Sequence, residues 1–249
     1  MTTPRKSAVH FEHIELDGYV NINRFHESFD QLHCCETLFG DYNAEVMLLG
    51  QDPGEYETFK ELKDMNDPNP YRHGPKRPTN IMLHKLMSPY FDVDNVLNST
   101  KARNCGLYFA NAIWLLREGA GAKQKHPPEA FEVCHEIFAA TLNNLTKLKL
   151  IIVMGEDAHN YMKKVISNLP QKLWDFVKRD TPIHGTVNHS MMEPRQLFVG
   201  AMYHPRAIGD RLKREKELNP DVKENGTDLT RHDLERMFAV AGVNRPKIR

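Results

Sequence analysis

The stretch AEVMLLGQDPG, residues 44–54, decides the fold. Val46 to Leu49 form an apolar run too short for a helix, closed by Gly50 and the turn-forming Gln51-Asp52-Pro53-Gly54. Such a run reads as a strand buried on both faces, the kind found in parallel sheets. Three further stretches repeat the pattern: GLYFANAI at 106–113, KLIIVMG at 149–155 and QLFVGAM at 196–202. Between the second and third, PPEAFEVCHEIFAATLNNL places Phe131, Cys134, Phe138, Leu142 and Leu145 at helical spacing behind prolines suited to a helix start. EDAHNYMKKVISN at 156–168 follows the third strand with an acidic start and a basic continuation, which complements a helix dipole. Strands separated by helices predict an α/β fold: one domain with a central, mainly parallel four-stranded sheet flanked by helices on both faces.

The chain of 249 residues suits one sizeable domain with extensions. Residues 1–39 are expected to pack on that domain, 40–218 to form it, and 219–249 to be a polar tail in which LERMFAV at 234–240 forms a short docked helix. NDPNPYRHGPKRP at 66–78 reads as a long loop, and loops of that length in a compact domain carry function or are disordered. A composition 40% hydrophobic and 27% charged is that of an ordinary soluble protein, without an apolar run able to span a bilayer. The first residues lack the apolar stretch of a secretory signal, and four cysteines make no disulfide framework. The expected location is intracellular, in cytoplasm or nucleus.

The formal charge is zero, but it is unevenly spread. Residues 1–100 carry 9 Lys/Arg against 16 Asp/Glu, leaving the remainder net basic and open to a polyanionic partner.

Ligands in open parallel sheets bind at the carboxyl ends of the strands. Just past those ends stand Asp52, Asn111, Gly155 and His204, so a carboxylate, an amide and an imidazole are brought to one rim. Taken singly, Asp52 also suits a helix cap, Asn111 a turn and His204 a hydrogen-bonded core histidine.

In order and context these residues resemble the uracil-DNA glycosylase superfamily over about residues 40–212. GQDP at 50–53 is similar to its first motif and His204-Pro205 to its second. Arg77-Pro78-Thr79-Asn80-Ile81 resembles the proline-rich DNA-compressing loop, YFANAIW the strand with the base-reading asparagine, and VMGEDA at 153–158 the strand and turn of a phosphate-contacting loop. Three positions depart from the pattern: Gly54 replaces the tyrosine that blocks the thymine methyl in the best-known branch, Arg206 replaces a serine, and Glu156 a small polar residue.

The resemblance implies hydrolysis of the bond between uracil and deoxyribose in DNA, leaving an abasic site. Asp52 would stabilise the sugar cation or orient water, and His204 would stabilise the leaving base. Gln51, Asn111 and Gly54 would line the base pocket, with Tyr71, or alternatively Phe59 if it is not core, as its aromatic floor. Pro78, Thr79, Gly155, Arg206 and Arg211 would meet the DNA backbone. Ile208 is read as a wedge in the gap left by the base, although with Leu212 at i+4 it also suits a buried helix face.

One branch with glycine at this place carries an iron–sulfur cluster on four cysteines. Cys134 stands at a similar place behind Glu129, but Leu115 occupies a ligand position and Cys34-Cys35 are adjacent instead of spaced. No cofactor or metal is expected, and the partner is single- or double-stranded DNA bound by a monomer without membrane contact. Three rival readings remain. One is a glycosylase for another deaminated or mispaired base. Another is a catalytically silent DNA-binding member. The third is a zinc protein using His10, His13, His33 and Cys34.

Overall fold

The computed structural model describes residues 11, 13–21, 40–64, 78–93, 104–119, 125–166, 169–177, 183–184 and 196–243, the side chains of 59, 62–64 and 183–184 excepted. Its central sheet contains β2 (Val46–Gly50), β3 (Leu107–Asn111), β5 (Leu150–Met154), β6 (Ile183–His184) and β7 (Phe198–Met202). The spatial order is β3-β2-β5-β7-β6, with the first four strands parallel and β6 an antiparallel edge. The four apolar runs are thus the four parallel strands, and the short fifth strand is an addition the sequence did not announce. A separate antiparallel ribbon pairs β1 (Tyr19–Asn21) with β4 (Leu115–Arg117), Tyr19 opposite Arg117.

Alternate residues of each strand feed two cores, as a sheet buried on both faces requires. Met47, Leu49, Tyr108, Ala110, Ile151, Val153, Val199 and Ala201 face one. That core is closed by α3 (Pro128–Val133), α4 (His135–Asn144), α5 (Glu156–Val165) and α6 (Leu173–Val177), with Phe11, Ile14 and Trp114. Val46, Leu48, Leu107, Phe109, Leu150 and Ile152 face the other. There the cover is α2 (Pro78–Met87), the first residue of α7 (Ile208–Leu218), and α8 (Gly226–Val240). The remaining helix, α1 (Tyr56–Asp64), follows directly on the GQDPG segment.

Several expectations are corrected in detail. The helix read across 128–145 is two helices, divided at Cys134, whose Sγ accepts the Trp114 N–H at 3.2 Å. The helix after β5 ends at Val165, before an extended Ile166. Of the stretch read as a loop, 66–77 lies outside the described residues, and its last residue, Pro78, instead opens α2, where its fixed φ is suited and its missing N–H costs nothing. The docked helix of the tail is α8, 15 residues long and capped by Asn225, whose side chain accepts from the Thr227 and Asp228 amides. Its length was hidden by a polar outer face; Leu234, Met237 and Phe238 are the buried stripe.

Candidate active site

In the parallel series the chain enters at β2, goes outward to β3, then returns past β2 to β5 and β7. The order reverses beside the end of β2, which is where an open α/β sheet forms a ligand crevice. Gly50 and Asn111 are register partners at the ends of β2 and β3, and Met154 and Met202 at the ends of β5 and β7. Gly155 and His204 follow one and two residues beyond that second pair. One rim therefore carries Asp52, Asn111, Gly155 and His204, as the sequence indicated.

Asp52 is held by the chain around it. The Ala112 amide donates to the Gly50 carbonyl at 2.9 Å and the Ile113 amide to the Gln51 carbonyl at 2.8 Å, extending the ladder past the strand. The Arg117 amide reaches the Gly54 carbonyl at 3.3 Å. Within the turn the Gly54 amide donates to Asp52 Oδ1 at 2.8 Å, and Gly54 has φ +106°, a conformation that strains any residue with a Cβ. His126 Nε2 meets Asp52 Oδ2 at 2.8 Å. Burial pushes the Asp52 carboxyl up, but its contacts with His126, the Gly54 amide and the charge of Arg117 outweigh that and hold the pKa below the ordinary value.

Asn111 is buried at the end of β3. A Cβ on Gly50 would lie 2.7 Å from Asn111 Oδ1 and 3.2 Å from Phe109 Cζ, so the missing side chain of Gly50 is the seat of the carboxamide. His204 stands before a short 3-10 turn at Pro205–Ala207, and its Nδ1 accepts the Arg206 N–H at 3.2 Å. With Nδ1 accepting, the neutral ring carries its proton on Nε2. Burial and the Arg206 charge depress the His204 pKa, against a smaller opposing pull from Asp52.

Other expected contacts are rearranged. Gly155 has φ +90°, and a Cβ there would lie 3.2 Å from His204 Cβ; its N–H donates to the Met202 carbonyl at 3.0 Å. That amide is committed to the sheet, so Gly155 serves the close approach of His204 and not a phosphate. Ile208 is 5% exposed and belongs to the core with Leu234 and Phe238, which corrects its reading as a wedge; Leu212, its partner in the helix-face reading, is only half-buried, and the buried face of the helix is Ile208, Arg211 and Glu215. Arg211 is also turned inward. It donates to Glu215 at 2.7 Å and Asp233 at 3.2 Å and lies over the Trp174 ring, so it ties α7 to α8 and is not a phosphate ligand.

Gln51 and Gly54 remain partly open at the rim, Arg206 and Pro78 are exposed, and Thr79 is half-buried in the first turn of α2, which packs against the 3-10 turn. Tyr71 lies outside the described residues, as does the side chain of Phe59, whose backbone is in α1. Cys134 is a buried thiol with its pKa pushed to about 12 by burial. His10, His33 and Cys34 of the zinc reading fall outside the described residues. Among the described residues no group of three His, Cys, Asp or Glu side chains gathers into a potential metal site.

Tyr19, Arg117 and His126 were missed by the sequence reading. His126 lies 74 residues from Asp52. Its one local signal was its place immediately before Pro127-Pro128 at a helix start.

A parallel sheet that gathers a carboxylate and an imidazole of lowered pKa and a buried carboxamide at its switch point is an α/β protein with a candidate site at the carboxyl edge. Residues 38–223 match the model of the uracil DNA glycosylase superfamily, and the chain belongs to that superfamily. It is thereby a DNA glycosylase in the general sense, a DNA-repair hydrolase with DNA as substrate. A search of curated proteins found no match. Among the described residues no helix is long and apolar enough to cross a membrane.

Proposed function

We propose that this protein excises uracil from DNA as a monofunctional glycosylase, leaving the sugar–phosphate strand intact. Breaking the base–sugar bond places positive charge on the sugar and negative charge on the base, and each needs a partner. Asp52, ionised at neutral pH, serves the sugar side by attracting the cation and orienting water. His204 serves the base side, donating from Nε2 to the departing carbonyl oxygen. Asn111 reads the pairing edge, its carboxamide accepting from the ring N–H of uracil and donating to the adjacent carbonyl.

The observation that carries this reading is the His204 ring, whose Nδ1 accepts a backbone N–H and whose pKa is depressed. That combination favours the neutral donor tautomer which a developing base anion requires. Strand cleavage by elimination uses an amine that forms a Schiff base, and the GQDPG and His204-Pro205 motifs contain no lysine. Arg206, Pro78 and Thr79 form the DNA-facing rim in this reading.

The test is single-turnover excision on duplexes and single strands containing uracil, hypoxanthine, xanthine or thymine opposite guanine. Uracil should be released, and Asp52→Asn or His204→Ala should each slow release by about 10²-fold or more with far smaller changes in DNA affinity. Release of another base in place of uracil would overturn the assigned substrate. A borohydride-trapped protein–DNA adduct would overturn the monofunctional chemistry.

A further inference from the structure

The Asp52 carboxylate is partly exposed at the rim, and one of its oxygens is gripped by a group no motif contains. His126 Nε2 lies 2.8 Å from Asp52 Oδ2, and Tyr19 Oη lies 2.7 Å from His126 Nδ1. The side chains differ sharply in exposure, 2% for His126 and 23% for Asp52, so the imidazole is the buried support and the carboxylate the open end. An ionised carboxylate only accepts, so His126 Nε2 carries the shared proton. With Tyr19 on the other nitrogen, the ring is fixed at both ends.

Three elements set that ring. Tyr19 comes from β1 and packs on it at 5.7 Å between centroids, Phe131 of α3 meets it edge-on at 6.2 Å, and Pro127 follows it in the chain. The ribbon that delivers Tyr19 pairs it with Arg117, whose charge also acts on Asp52. The small sheet thus supplies two groups behind the carboxylate, Tyr19 from a strand far from the superfamily's motifs in sequence and Arg117 from the strand that follows YFANAIW.

We propose that His126, backed by Tyr19, is a positioning residue that fixes the Asp52 carboxylate for its work on the sugar and the attacking water. A carboxylate has about four acceptor sites on its two oxygens, and the Gly54 amide and His126 each take one. What remains faces outward in one orientation. A freely rotating carboxylate would have to be ordered at each turnover, and misplacement of about 1 Å costs on the order of 10²-fold in rate. The titratable or charged groups that face Asp52 are His126, Arg117 and His204, and removal of His126 takes away a contact that favours the ionised form.

This inference rests on the proposed role of Asp52, and the test separates the two. Single-turnover uracil excision is followed against pH for the parent, His126→Ala, His126→Gln, Tyr19→Phe and Asp52→Asn, with DNA affinity and melting temperature measured alongside. His126→Ala should lose about tenfold or more in rate with affinity retained, and its acid limb should move to higher pH because Asp52 protonates more easily. His126→Gln, which restores an N–H donor, should recover part of the rate. Added to Asp52→Asn, His126→Ala should have no further effect. An unchanged rate and an unmoved acid limb in His126→Ala, with Asp52→Asn inactive, would overturn the positioning role alone. Full activity in Asp52→Asn would instead sink the catalytic reading. If His126→Ala does not fold, Tyr19→Phe decides: it deletes one oxygen, should slow excision severalfold and move the limb the same way, and a parent-like profile would refute the proposal.

Discussion

Replacing Gly50 by alanine should disable base recognition without disturbing the fold. The added Cβ would lie 2.7 Å from Asn111 Oδ1 and 3.2 Å from Phe109 Cζ, with the Ala110 carbonyl oxygen at an ordinary 3.7 Å. A relaxed carbon–oxygen contact needs roughly half an ångström more, so the carboxamide must leave its seat because β2 and β3 are fixed by their register. Overpacking of this kind costs about 1–3 kcal/mol of stability, which a typical domain tolerates. The catalytic cost is larger, since a displacement approaching 1 Å is worth up to about 10²-fold. We expect Gly50→Ala to lose at least tenfold in single-turnover uracil excision while melting cooperatively within several degrees of the parent. The same loss should appear in Asn111→Ala, and the double variant should be no slower than Asn111→Ala alone, because both act on one side chain. Independent, additive losses would refute the reasoning, as would a Gly50→Ala enzyme within twofold of the parent.

Arg211→Ala should lower stability by about 3–5 kcal/mol in urea unfolding, since it removes the buried guanidinium that Glu215 and Asp233 share; a loss below about 1 kcal/mol would contradict this. Gly155→Ala should slow excision about tenfold or more through φ +90° and the 3.2 Å approach to His204 Cβ, checked by the same kinetic assay. His159 is buried, and burial with the Lys163 charge pushes its pKa from 6.5 to about 4. A lowered folded pKa means the unfolded chain takes up the proton first. Its stabilising contribution is therefore intact above about pH 6.5 and falls as pH drops towards 4, by up to about 3 kcal/mol. Urea midpoints across that range should show this slope in the parent and less of it in His159→Gln.

The parallel strands were legible because each is a short apolar run stopped by turn residues, a pattern dictated by burial on both faces. The rim residues were legible for the same reason, since the ends of strands can be read once strands are. What stayed hidden depends on partners far along the chain. His126 reaches Asp52 through folding of the β1–β4 ribbon and the start of α3, and its one local mark among 13 histidines, a place before Pro127-Pro128, says nothing of Asp52. Ile208 and Arg211 were misread because the segment after His204 satisfies two patterns at once. An apolar residue flanked by arginines resembles a wedge, and an apolar i, i+4 pair resembles a buried helix face. The deciding fact was α8, whose polar outer face concealed that Leu234 and Phe238 needed a covering partner and that Asp233 held Arg211.

Gly54 shows how far a local feature constrains the substrate face. Its φ of +106° brings its N–H onto Asp52 Oδ1, and its carbonyl accepts from Arg117. A tyrosine at this position would carry its Cβ into a backbone region that L residues avoid, and relief of that strain would rotate the very amide that anchors Asp52. Position 54 is therefore set by the carboxylate behind it, whatever base lies in front. In this chain a gate against a 5-methyl group is expected from another element, because a side chain at position 54 would disturb the φ +106° turn whose N–H holds Asp52 Oδ1.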